Sequence, residues 1–79
     1  MAKQAWEIWT RVNRPDIFEY RGKVKGMDCQ LWWDDQPGVK PGWCVRINAG
    51  KRGEQDIPVK GRRDSKLSTL HRNVLAALK

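Results

Sequence analysis

The middle of the chain holds two runs in which apolar and polar residues alternate. They cover residues 43–48 and 56–60, and a period of two is typical of strands that bury one face. The segment between them is short, polar and rich in glycine, which predicts a β-hairpin. Pairing Ile47 with Ile57 leaves residues 51–53 as a three-residue loop that ends on the glycine a left-handed position needs.

This register separates an apolar side of the hairpin from a basic one. Val45 lies opposite Val59 and Arg46 opposite Pro58, so the aliphatic side chains share one side. Another element must cover that side. Lysine and arginine occupy the other side, the loop and the exit of the hairpin, namely Arg46, Lys51, Arg52, Lys60, Arg62 and Arg63.

Three segments before the hairpin have strand-like patterns. Residues 6–12 fit both an alternating strand and a helical stripe, and their Trp, Ile, Thr and Val content favours the strand. Residues 17–24 and 27–35 predict two more strands. Adjacent Trp32 and Trp33 must then point to opposite faces, and Trp32 is the candidate for exposure.

Glycine, proline and aspartate mark the breaks between these strands. Gly22 predicts a bend or bulge, and Gly26 predicts a tight turn. Residues 34–41 contain two prolines and predict a loop. Asp34 and Asp35 stand side by side there, and aspartates at a strand end are typical of turns. A metal or acid–base site would need further convergent groups.

Residues 62–79 contain the clearest helical pattern. Apolar residues recur there at spacings of three and four, which predicts a helix with one face against the sheet. Asp64 or Ser65 is expected to cap the N-terminus of this helix. The apolar stripe consists of Leu67, Leu70, His71, Val74 and Leu78, with Leu75 beside it.

Together these elements predict a single compact α+β domain over residues 1–79. Its small antiparallel sheet has four or five strands joined as hairpins or a meander, and one C-terminal helix packs on one face. The predicted core consists of Leu31, Trp33, Trp43, Val45, Ile47, Ile57, Val59, Leu67, Leu70, Val74 and Leu78.

Charge and tryptophan are both distributed unusually. The formal net charge is +7; residues 1–41 hold seven Lys/Arg and six Asp/Glu, and residues 42–79 hold nine and three. This asymmetry indicates a polyanionic or acidic partner for the C-terminal half, although small soluble domains also carry surplus cations. Five tryptophans are more than so small a core is expected to hold, so at least one is expected to be partly exposed.

The sequence argues against an enzyme, a metal site and a membrane span. His71 is the single histidine, and no nucleophile motif or phosphate loop is present. Cys29 and Cys44 form no metal motif and are expected to be reduced, the first pointing inward and the second outward. The chain lacks both a secretory signal and the ~20 apolar residues of a membrane helix. We therefore expect a cytoplasmic protein without enzymatic activity or cofactor.

The leading functional prediction is binding of DNA or RNA through the phosphate backbone, with little base specificity. Lysine and arginine contact phosphates through charge-assisted hydrogen bonds and counterion release. A two-stranded ribbon fits a major groove, and spare aromatic residues such as Trp32 or Trp9 could stack on unpaired bases. The predicted nucleic-acid-binding residues are Arg46, Lys51, Arg52, Lys60, Arg62, Arg63, Lys66 and Trp32.

Two resemblances point the same way. The order strand, basic hairpin, strand and helix over residues 42–78 resembles the three-stranded-sheet-plus-helix DNA-binding domains of the arm-binding integrase type. The ending HRNVLAALK is similar to the last helix of double-stranded RNA-binding domains. Both resemblances imply a nucleic-acid partner, and no functional residue is carried over from either.

The alternative function is protein binding. A small inhibitor or adaptor of the phage or mobile-element type would set its basic face against an acidic or nucleic-acid-binding surface of a larger protein machine. Aromatic and arginine anchors would then carry the affinity. A partner that is captured after nuclease treatment would favour this alternative.

Overall fold

The computed structural model describes residues 5–12, 18–38 and 40–79. Within them, five antiparallel strands form a sheet in the order β1-β2-β3-β4-β5, so each strand pairs with its neighbours in sequence. The elements are a 3₁₀ helix Ala5–Ile8, β1 Thr10–Arg11, β2 Glu19–Val24, β3 Met27–Asp34, β4 Gly42–Ile47, β5 Gln55–Val59 and α1 Leu67–Ala77. This meander with one C-terminal helix confirms the predicted α+β class.

Alternation in the strands sorts side chains onto an inner and an outer face. The inner face carries Leu31 and Val45, which are fully buried together with Leu70 and Val74 of α1. The outer face carries the residues between them and faces solvent. The buried hydrophobic residues are Trp9, Val24, Cys29, Leu31, Trp43, Val45, Val59, Leu70 and Val74. The other predicted core residues, Trp33, Ile47, Ile57, Leu67 and Leu78, are partly buried and pack against this core.

The N-terminal segment departs from the predicted strand. Residues 5–8 form a 3₁₀ helix, and within the described residues 5–12 Thr10 and Arg11 pair with β2. The helical turn points Trp9 into the core, where it is 6% exposed, and leaves Ile8 40% exposed. The strand prediction is therefore wrong for residues 6–8, because packing of one indole outweighs a local β preference.

Gly22 makes room for this segment. A Cβ added at Gly22 would lie 2.8 Å from the Ile8 carbonyl oxygen. β2 pairs with β3 continuously from Glu19 to Val24, so the bulge predicted at this glycine is wrong. The glycine permits close approach of another backbone instead.

The start of α1 also differs from the prediction. Lys66 precedes the helix with extended backbone angles, and no side chain caps the first turn. The Ser65 hydroxyl instead accepts a 2.7 Å hydrogen bond from the backbone N–H of Arg62. The prediction of Asp64 or Ser65 as the cap is wrong, because Ser65 is engaged in stabilising the preceding connection.

The β4–β5 hairpin is shifted by two residues from the predicted register. Ile57 pairs with Val45, so the predicted pairing with Ile47 is wrong. The faces are nevertheless correct, because side chains alternate with a period of two. The loop lengthens to residues 48–54, and the Glu54 carboxylate accepts a 2.6 Å hydrogen bond from a backbone N–H within it. This internal bond stabilises the longer loop.

Candidate nucleic-acid interface

On the outer face, Arg46 is paired with carboxylates. Its Nε and Nη2 donate hydrogen bonds of 2.7 and 3.1 Å to the two oxygens of Asp56, and Glu54 lies 3.7 Å from Nε. The hydrogen bond from Arg46 holds the pKa of Asp56 below its ordinary value. The charge of this predicted phosphate ligand is therefore already balanced within the hairpin.

Lys51 at the hairpin loop is paired in the same way. Its Nζ donates a 2.6 Å hydrogen bond to Asp28, and this bond lowers the pKa of that carboxyl group. Arg21 contacts Glu19 at 3.3 Å on the same face. The outer face therefore presents a mixed set of ion pairs rather than a positive surface.

Trp32 lies on the outer face but is half-buried rather than fully exposed. The Arg46 guanidinium carbon lies 5.3 Å from the centre of its ring. The ring borders a shallow cavity of about 250 Å³ that Glu19 also lines. A base that stacked on Trp32 would compete with Arg46 and approach a carboxylate.

The connection between β5 and α1 has a different electrostatic character. Residues 60–66, here called the basic connection, carry four cations and one carboxylate. The cations are Lys60, Arg62, Arg63 and Lys66, and all four side chains are exposed. Across the described residues, none of them lies within 4 Å of a carboxylate oxygen, and the same holds for Arg52 at the hairpin loop.

The backbone of the basic connection is anchored to the core. The Arg62 carbonyl accepts a 2.7 Å hydrogen bond from Trp43 Nε1, and the Lys60 carbonyl accepts one of 2.8 Å from Asn73. Gly61, with φ of 148°, packs so closely that an added Cβ would lie 2.8 Å from Leu70 Cδ2. Main-chain groups thus fix the connection while its charged side chains stay in water.

Next to this connection lies a group of aromatic rings on the inner face. Phe18, Tyr20 and Trp33, here called the aromatic cluster, are half-buried and pack against the core. The Trp33 and Trp43 rings meet edge to face at 5.7 Å between their centres, and Tyr20 lies 6.4 Å from Trp43. The sequence placed Trp33 in the core and put Phe18 and Tyr20 on one common face, but it did not identify the three residues as a surface.

Two arginines flank the aromatic cluster. The guanidinium carbon of Arg11 lies 4.9 Å from the centre of the Phe18 ring and 5.8 Å from that of Tyr20. Arg63 of the basic connection lies 5.2 Å from the centre of the same Phe18 ring. The sequence did not identify Arg11, because its alternating pattern placed Arg11 opposite the apolar residues of the segment, whereas in the structure Arg11 pairs with Tyr20.

Trp9 is removed from the candidate stacking residues. Its indole is buried, and Nε1 donates a 3.0 Å hydrogen bond to Nδ1 of His71. Burial lowers the pKa of His71, which is 8% exposed. The histidine is thus a packed core residue, whereas the sequence left open whether it was packed or at the surface.

Neither a metal site nor a membrane-spanning helix is found in the described part of the chain. No three His, Cys, Asp or Glu side chains converge within residues 5–12, 18–38 and 40–79. No helix there has the length and apolar character needed to cross a bilayer. Cys29 is buried, Cys44 is partly exposed, and both are free thiols.

Comparison with known proteins identified no relative of this chain. No protein-family model, no curated protein and no solved structure matches the chain.

Proposed function

We propose that the protein binds the phosphate backbone of a nucleic acid, with little base specificity, through the basic connection and the hairpin loop. The observation that carries this proposal is the set of exposed cations at Lys60, Arg62, Arg63 and Lys66, none of which has a carboxylate oxygen within 4 Å among residues 5–12, 18–38 and 40–79. Four exposed cations within seven residues produce a locally positive potential that suits phosphate groups.

The local backbone supports the same assignment. The first turn of α1 contains no acidic residue and has no side-chain cap, so its partial positive charge adds to that of Lys66. The carbonyls of Lys60 and Arg62 are already bonded to the core. Ordering the connection on binding therefore costs less conformational entropy than ordering a free loop.

Arg46 and Lys51 are weaker candidates than the connection. Each must exchange an existing carboxylate for a phosphate, so the net gain from the new contact is small. Arg52 has no such competitor among the described residues. Five cations, four in the connection and one at the loop, thus account for the proposed contact.

Salt dependence provides the primary test. Neutralising about five phosphates predicts a slope of log affinity against log salt of about −4 to −5 on duplex DNA. The slope is measured by fluorescence anisotropy of a labelled duplex between about 50 and 200 mM salt. A slope near zero, or no binding of either a duplex or a single strand at the low end, rejects the proposal.

A matched pair of variants locates the contact. Arg62→Gln, Arg63→Gln and Lys66→Gln together lower the net charge from +7 to +4. They should reduce the magnitude of the slope by about 3. A control with Lys23→Gln, Lys25→Gln and Lys79→Gln has the same net charge and should retain most of the slope. Equal losses in the two variants would show that only overall charge matters.

The second candidate function is binding of an acidic protein surface as an inhibitor or adaptor. The half-buried rings of the aromatic cluster with Arg11 and Arg63 favour it, because tryptophan, tyrosine and arginine dominate binding hot spots. Nuclease-resistant association with one defined protein, together with absence of nucleic-acid binding, would select this candidate.

A further inference from the structure

We propose that the nucleic acid is single-stranded and that its bases stack on the aromatic cluster while its phosphates contact the basic connection. The inference rests on the proposed function, and it adds the class of nucleic acid and a second contact surface. It depends on the placement of Phe18, Tyr20 and Trp33 next to Arg63.

These three rings are only partly covered by the rest of the protein. α1 makes its most extensive contacts with the edge strand β5 and with the 3₁₀ helix that precedes the opposite edge strand β1, and fewer with β2 and β3. Leu31 and Val45 beneath the helix are fully buried, whereas Phe18, Tyr20 and Trp33 are half-buried. The cluster is thus an aromatic region of the inner face that retains access to a flat ligand.

The Phe18 ring already contacts planar cationic groups. Arg11 and Arg63 approach it at 4.9 and 5.2 Å between guanidinium carbon and ring centre. A nucleobase is also flat and polarisable, and it can replace a guanidinium on a ring face. Among the described residues neither arginine has a carboxylate within 4 Å, so a displaced guanidinium is free to contact a phosphate.

The basic connection and the aromatic cluster form one continuous surface. The Arg62 carbonyl is bonded to Trp43, and Trp43 meets Trp33 of the cluster at 5.7 Å. Arg63 extends from the same connection over Phe18. A strand that follows the basic connection with its phosphates therefore has its bases within reach of the rings.

Base pairing decides between single and double strands. Bases within a duplex are stacked on one another, and their faces are closed to a ring that lies on a sheet surface. Unpaired bases expose their faces, and each base stacked on an aromatic side chain typically strengthens binding by about 5- to 150-fold. The cluster therefore favours single strands without selecting a particular base.

The test compares oligo(dT) of about 15 nucleotides, which matches typical single-strand sites, with a duplex of equal length. We expect tighter binding of the single strand. Phe18→Leu keeps an apolar side chain but removes the stacking face, and it should weaken oligo(dT) binding about 5-fold or more while changing duplex binding less than 2-fold. Tyr20→Leu provides a second variant, and circular dichroism checks the folding of each.

Trp32→Leu tests the competing stacking position on the outer face. A loss of oligo(dT) binding in Trp32→Leu but not in Phe18→Leu overturns the inference. Equal affinity for single strand and duplex also overturns it and leaves the proposed function intact. Absence of binding to both probes at low salt overturns both proposals. Nuclease-resistant association with one defined protein, together with that absence, selects the protein-binding function instead.

Discussion

Acidification should destabilise the fold through His71. Its Nδ1 accepts the 3.0 Å hydrogen bond from Trp9, so that nitrogen carries no proton in the folded state. Protonation would set two N–H groups against each other and place a charge in an apolar site. Burial accordingly lowers the pKa of His71 from its ordinary value of 6.5, and no charged neighbour is needed to explain the shift.

The sign and size of the effect follow from proton linkage. Below pH 6.5 the unfolded chain binds a proton at His71 before the folded chain does. The stabilisation provided by neutral His71 is therefore fully present above pH 6.5, and it is lost as the pH falls toward the folded-state pKa of this histidine. The slope of the unfolding free energy approaches about 1.4 kcal/mol per pH unit within that window. Each 1 kcal/mol corresponds to about 4–8 °C in Tm for a domain of this size.

The assay is urea denaturation at a series of pH values between about 5 and 7.5, repeated with His71→Gln. Glutamine retains an acceptor but does not titrate. Since the chain contains one histidine, the difference between the two proteins isolates this group. Parallel profiles for wild type and variant would refute the role assigned to the Trp9–His71 bond.

Three further results are expected. Gly61→Ala should lower the unfolding free energy by about 1–3 kcal/mol in chemical denaturation. The added Cβ would lie 2.8 Å from a helix side chain, and the φ of 148° is unfavourable for alanine. An unchanged denaturation midpoint would contradict the close approach. Asp56→Asn should cost less than about 1 kcal/mol in the same assay, because its pair with Arg46 is exposed, and a larger loss would mean that the pair determines the register. Iodoacetamide should modify Cys44 before Cys29 in time-resolved mass spectrometry, because Cys29 is 2% exposed. Burial raises the pKa of both thiols and therefore slows both reactions. The reverse order of modification would contradict the assigned faces.

The candidate site was only partly predictable from the sequence. The cationic run over residues 60–66 is visible as composition, and the structure leaves it exposed. The pairing of Arg46 with Asp56 was missed because it depends on a two-residue change of register. The pairing of Lys51 with Asp28 joins residues 23 positions apart, and nothing in the local pattern of either segment announces it.

The sequence by itself determined the α+β class, the inward and outward phase of the strands from residue 27 onward, and the apolar stripe of the C-terminal helix. These features depend on periods of two and 3.6, which a shift of two residues along a strand leaves unchanged. Only the tertiary structure decided which cations have no carboxylate neighbour among the described residues and which aromatic rings contact each other. The Trp9–His71 bond, between residues 62 positions apart, and the contact of Arg63 with Phe18 form only when distant segments pack together. Local periodicity carries no information about such contacts, because it specifies the face of a side chain and not the neighbour across from it.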